Sequence, residues 1–127
     1  MVASDAEALM AGWERGNVLA AACPSRAILQ HLTSRWGVLV MVVLATGPHR
    51  FSALRRRIGG VSERMLAQTV QQLEADGMVH RHAHAVVPPH VDYSLTPLGQ
   101  EAAAHVVALT GWIEGRLADV LAARPAR

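Results

Sequence analysis

The sequence predicts a mainly helical chain with one small β-hairpin, an α+β fold built as a single domain of 127 residues. Three observations predict this. Residues 62–77 run from a capping serine to a stop glycine, with Leu66, Val70 and Leu73 at i, i+4 and i+7, the period of a half-buried helix. Directly after it, two short stretches, Met78 to about His84 and Val91 to Leu95, flank a Val87-Pro88-Pro89 loop, the pattern of a hairpin. Apolar residues at helical spacing occupy most of the rest, and with 51% hydrophobic but only 4% aromatic residues the core must be filled by aliphatic side chains and alanine.

The elements follow in order. Ser4 and Glu7 form a capping box, and Ala6, Leu9, Met10 and Trp13 make one apolar stripe, so a first helix is expected over about 5–15, ended by Gly16-Asn17. Pro24 suits the first position of a second helix capped by Cys23 and carrying Ile28, Leu29 and Leu32 toward Arg35. Trp36 to Leu44 is apolar nearly all round and is expected to be the central buried helix, closed by Gly47-Pro48. Ser52 is expected to cap a short helix with Leu54 and Ile58, stopped by Gly59-Gly60, and the Ser62 helix follows after a tight turn. Beyond the hairpin, in which Val91, Tyr93 and Leu95 should alternate inward, Thr96 caps a last helix with Pro97 in its first turn. Val106, Leu109, Ile113, Leu117 and Val120 recur along it as a seam suited to another helix.

Composition narrows the function classes. The net charge is only +2, but from His49 to His84 six arginines face three acids, a local +3, leaving the remainder at −1. A single cysteine excludes an internal disulfide framework. The longest apolar run, Trp36 to Ala45, is too short to cross a bilayer, and Asp5, Glu7 and Glu14 disfavour reading Leu19–Cys23 as a lipoprotein signal, so a cytoplasmic protein without a membrane partner is expected. No nucleophile-elbow, phosphate-loop or metallohydrolase spacing occurs, and no enzymatic role, cofactor or metal is expected.

Helix, glycine-containing turn, helix, then hairpin is the order of a winged helix-turn-helix. With Leu66, Val70 and Leu73 turned inward, the outer face of the Ser62 helix carries Arg64, Gln68, Gln71 and Gln72, the amide and guanidinium groups able to read base edges in a major groove. Ser62 places a hydroxyl and free backbone donors near a phosphate. Arg50 and Ser52, and at least one of Arg55 and Arg56 from the Arg55-Arg56-Arg57 run, border that helix as phosphate contacts.

The series Cys23-Pro24, Arg35-Trp36, Gly47-Pro48-His49-Arg50-Phe51-Ser52-Ala53-Leu54-Arg55, Val61 to Gln68, Leu73 to Val79 and Val87 to Gly99 resembles the HxlR-type winged-helix transcriptional regulators of bacteria over about residues 23–115. The resemblance implies a homodimer on double-stranded operator DNA, joined by its terminal helices. It divides the chain into an N-terminal dimerisation helix (5–22), a winged helix-turn-helix core (24–95) and a C-terminal dimerisation helix (97–122). Leu9, Trp13, Leu109, Trp112, Ile113 and Leu117 are then interface residues. Some members use a cysteine at the position of Cys23 to sense oxidants or electrophiles, which makes Cys23 a candidate regulatory thiol. A capping residue of no regulatory use is the rival reading, and a small-molecule inducer is the rival signal.

The hairpin departs from the family, whose wings usually carry arginine or lysine. Here Arg81 is the only arginine, and His80, His82, His84 and His90 take several of those places; Arg81, His82 and His90 are the expected wing contacts to DNA. His80, His82 and His84 alternate and so share one strand face. Three readings stand: a solvated polar face, a pH-tuned phosphate contact, or a transition-metal cluster joined by Asp92, although the spacing matches no strong zinc signature. The expected function is a sequence-specific DNA-binding regulator, with repression the favoured outcome. The alternative is a winged-helix module that docks proteins without reading DNA.

Overall fold

The computed structural model describes residues 2–11 and 16–125. In chain order these form α1 (Val2–Ala11), α2 (Pro24–Thr33), α3 (Arg35–Leu44), β1 (His49–Arg50), α4 (Phe51–Arg57), α5 (Glu63–Ala75), β2 (Val79–His84), β3 (His90–Leu95), α6 (Pro97–Gly115) and α7 (Leu117–Ala122).

The core is organised around α3, the most apolar helix, which buries Gly37, Val40, Met41 and Leu44. Leu54, Ile58 and Val61 close on it from α4 and the following turn, with Leu66, Val70 and Leu73 from α5, Val79 and Tyr93 from the sheet, and Ala103 and Val106 from α6. Full burial of each such aliphatic side chain contributes roughly 1.5–3 kcal/mol. Ser34 ends α2 and caps α3, its Oγ accepting from Gly37 N at 3.1 Å, where the two helices bend by 72°. A Cβ on Gly37 would overlap the His31 carbonyl oxygen, so this corner needs glycine. From α2, His31 Nδ1 also pairs with the Asp76 carboxylate at the end of α5.

The chain leaves α5 through a complete Schellman motif: Gly77, at φ 77°, bonds back to Glu74 O, and Met78 N to Leu73 O at 2.9 Å. Thr96 ties this exit to the start of α6. Its hydroxyl donates to Gly77 O and accepts from Gly99 N at 2.9 Å, and its N–H donates to Met78 O at 3.0 Å. The sheet is antiparallel in the order β1-β3-β2.

Several boundaries differ from expectation. The first helix begins at Val2, so Ser4 and Glu7 lie inside it; Val2 and Ala3 are compatible with the helix and let it extend past the capping box. None of its residues is buried, residues 18–22 are turns or bends and not a continuation of the expected 5–22 helix, and Trp13 lies outside the described residues. The N-cap of α4 is Arg50, not Ser52, because pairing of His49 and Arg50 with Tyr93 and Asp92 holds Arg50 extended and lets the helix start at Phe51. The expected 97–122 helix breaks at Arg116 (φ −113°, ψ 10°), directly after Gly115, whose backbone freedom weakens the helix there.

Candidate nucleic-acid interface

Helix α5 is set by its two ends. Ser62 Oγ accepts from Met65 N at 3.0 Å, which fixes the first turn and leaves the remaining N-terminal donors facing outward. With Leu66, Thr69, Val70 and Leu73 inward, Arg64, Gln68 and Gln71 stand exposed on the opposite side and Gln72 is half-buried beside them. Met65, to which the sequence pattern assigns no role, is 41% exposed. It shares a helical row with Gln68 and Gln72 and can offer a thioether and methyl group to a thymine methyl. The signal for it is an apolar residue in the first turn, outside the inward period.

The three consecutive arginines separate by role. Arg57 Nη1 donates to His49 Nε2 at 3.2 Å, while His49 Nδ1 bonds the Gly47 carbonyl oxygen at 2.7 Å, so Arg57 is spent on the loop after α3. Arg55 and Arg56 remain exposed and line a shallow cleft with Phe51, Ser52 and Glu63, between α4 and the start of α5. The Arg55–Glu63 pair is long, 4.0 Å, and both partners are exposed, so it restrains Arg55 little. Ser52 is exposed in the first turn of α4, and Arg50 is exposed on β1.

The wing does not gather its three expected contacts. Cross-strand partners point to the same side, so His80, His82, His84, His90, Asp92 and Ser94 form one face, together with Arg50 opposite Asp92. Arg81, opposite Tyr93, points to the other face, away from His82 and His90. A one-residue step along a strand changes sides, and the hairpin register that fixes this is not legible in the composition.

Cys23 occupies the N-cap of α2 without making a side-chain cap bond. Its Sγ instead lies 3.1 Å from Asn17 N and 3.0 Å from Ser25 Oγ. The Ser25 hydroxyl, followed by the Asn17 and Ser25 backbone N–H groups, pulls the thiol below its ordinary pKa. Leu109, Trp112, Ile113 and Leu117 are all exposed, Trp112 by 59%, as is Leu9 on α1.

Residues 31–120 match the family described as HxlR-like helix-turn-helix. The chain belongs to that family. Over 114 residues this HxlR-like chain is 60% identical to the uncharacterized HTH-type transcriptional regulator YtfH of Escherichia coli (strain K12), covering 90% of each chain. A solved structure of a transcriptional regulator YtfH from Salmonella typhimurium is 60% identical and superposes with a TM-score of 0.81 over 84% of this chain and 96% of that one. The redox regulator HypR in its reduced form superposes at 0.71 with 34% identity, over 80% of this chain and 99% of that one. The HxlR-like chain is thus a DNA-binding transcriptional regulator of the winged helix-turn-helix type. No single helix among its described residues is long and apolar enough to cross a membrane.

Proposed function

We propose that this HxlR-like regulator acts in the cytoplasm as a homodimeric, sequence-specific repressor that reads an inverted repeat with α5. The observation that carries the reading is the division of α5 into a buried aliphatic side and an outward side of Arg64, Gln68 and Gln71, with Arg55 and Arg56 exposed beside it. Arg64, Gln68, Gln71 and Gln72 reach base edges; Arg50, Ser52, Arg55, Arg56 and Ser62 hold phosphates; the wing adds either Arg81 or the His82/His90 face, since one groove cannot receive both faces. A second copy covers the exposed apolar residues of α6 and α7 (Leu109, Trp112, Ile113, Leu117), too large a hydrophobic surface for a monomer to leave in water. Two α5 helices then sit about 34–36 Å apart, one turn of DNA.

The signal acts through Cys23. Ser25 and Asn17 lower the pKa of the thiol and so favour the thiolate, the form that reacts with oxidants and electrophiles, and the structural likeness to the redox regulator HypR supports this use. With one cysteine per chain, the product is a bridge between subunits or an adduct with a small thiol. The test is a gel shift and footprint against genomic fragments at low salt, with and without diamide. A protected inverted repeat released by diamide in the wild type, but not in Cys23→Ser, is expected. Absence of any selective fragment overturns the operator reading in favour of a protein-docking wing; a Cys23→Ser variant that still responds to the inducer places the signal on a small ligand.

A further inference from the structure

We propose that the wing carries a site for a divalent transition-metal ion, built by His84 at the end of β2 and His90 and Asp92 on β3. The sequence spacing alone does not mark it, because the ligands come from both strands and only the hairpin register brings them together. His84 stands directly opposite His90, and Asp92 is the next residue on the same face. One ligand atom from each of the three lies within 4.8 Å of the other two, and all three residues are half-buried. His84 Nε2 is 2.7 Å from Asp92 Oδ2, and His90 Nε2 is 4.0 Å from Asp92 Oδ1. The His84 and His90 rings are stacked with centroids 4.4 Å apart, and the His82 ring meets His84 edge-on at 4.5 Å; a fourth position is left to water.

The carboxylate at the centre of the cluster is turned to the imidazoles. Asp92 is the only acid on either strand of the hairpin, and Arg50 stands opposite it on β1, yet its carboxylate makes its short contact with an imidazole and none with that arginine. Two imidazole nitrogens and one carboxylate oxygen suit zinc, cobalt, nickel or copper, and not calcium or magnesium, which take oxygen. Metal–ligand bonds of about 2.0–2.2 Å place tetrahedral ligands roughly 3.4 Å apart. The three ligand atoms, now within 4.8 Å of one another, must therefore settle to that spacing, adjustments of side-chain torsion with the strands fixed. On binding, the proton shared between His84 Nε2 and Asp92 moves to the other ring nitrogen or to solvent, and the ion takes its place between the two. The bound ion adds two positive charges to a wing face that holds no arginine beyond Arg50; that consequence for DNA rests on the operator reading above, whereas the site itself does not.

The test uses the tag-free full chain. Titration with Zn2+ by calorimetry, and with Co2+ followed by its ligand-field absorption, should saturate at one ion per chain. His84→Ala, His90→Ala and Asp92→Asn should each weaken binding at least about tenfold, whereas Cys23→Ser and His105→Ala on the exposed side of α6 should leave it unchanged. Zn2+ should move the ring-proton resonances of His84 and His90 and leave those of His31 and His49 in place, which reports on the folded wing even if a variant is unstable. Equal binding by the wild type and the His84→Ala and Asp92→Asn variants, or loss of binding in Cys23→Ser, overturns the proposal. Because these measurements contain no DNA, a failure to find any operator would count against the regulatory reading alone.

Discussion

Gly99→Ala tests the joint that connects the reading head to the long helix α6. A Cβ there would overlap the Met78 carbonyl oxygen, sit 2.9 Å from its carbon and 3.3 Å from Leu95 Cδ2. The obstacle is backbone, held by Thr96 N at 3.0 Å, so no side-chain rotation relieves it; α6 must slide away from the base of the wing. Overpacking of this kind costs about 1–3 kcal/mol, against which the usual alanine-for-glycine gain of about 0.4–1 kcal/mol acts. Because a whole helix must move, the cost sits at the upper end and the net loss is about 2 kcal/mol. That lowers the melting temperature by roughly 6–12 °C for a domain of this size. Thermal unfolding followed by circular dichroism measures it. On the same helix, Gly111 has open space around it within one chain, and Gly111→Ala should instead add about 0.5–1 kcal/mol. A Gly99→Ala protein that melts with the wild type would refute the tight-joint reasoning.

The remaining predictions concern DNA, assembly and the thiol. Arg64→Ala should cost about 1–3 kcal/mol of operator affinity and relax preference at one base pair, read from binding to a panel of single-base operator variants. Arg55→Ala or Arg56→Ala should reduce the log–log salt slope by about 0.9 for each phosphate no longer neutralised, while Arg57→Ala, whose guanidinium is engaged by His49, should leave the slope unaltered. Ile113→Glu together with Leu109→Glu should convert the proposed dimer to monomers by analytical ultracentrifugation and abolish operator binding at the same protein concentration. Ser25→Ala removes the leading cause of the lowered Cys23 pKa, so its iodoacetamide reaction profile should shift to higher pH and the rate at neutral pH should fall.

What is legible in the sequence is what depends on local chemistry. Ser62, Gly77, Thr96 and Pro97 mark helix ends through groups within a few residues of each other, and each stands where the sequence puts it. The inward set Leu66, Val70 and Leu73 follows from period alone, and with it the outward position of Arg64, Gln68 and Gln71. What is not legible depends on pairing across the chain. β1 is two residues long, too short to show alternation, and only its partner β3 makes it a strand and moves the N-cap of α4 from Ser52 to Arg50. Alternation alone sets Arg81 apart from His82, but placing His90 on the His82 side needs the register, and the thiol-lowering role of Asn17 needs the turn that brings it back to Cys23.

The short strand β1 has one more effect. Arg50, Asp92 and His82 lie in a single transverse row across the three strands, so the start of α4 is sewn through the middle strand to the outer edge of the flap. Neither the flap nor the helix pair can tilt without tearing main-chain bonds, which makes the two a single jaw. On the homodimeric reading proposed above, a signal that releases DNA would act by changing how two such jaws sit relative to each other, and not by folding the flap back within one of them.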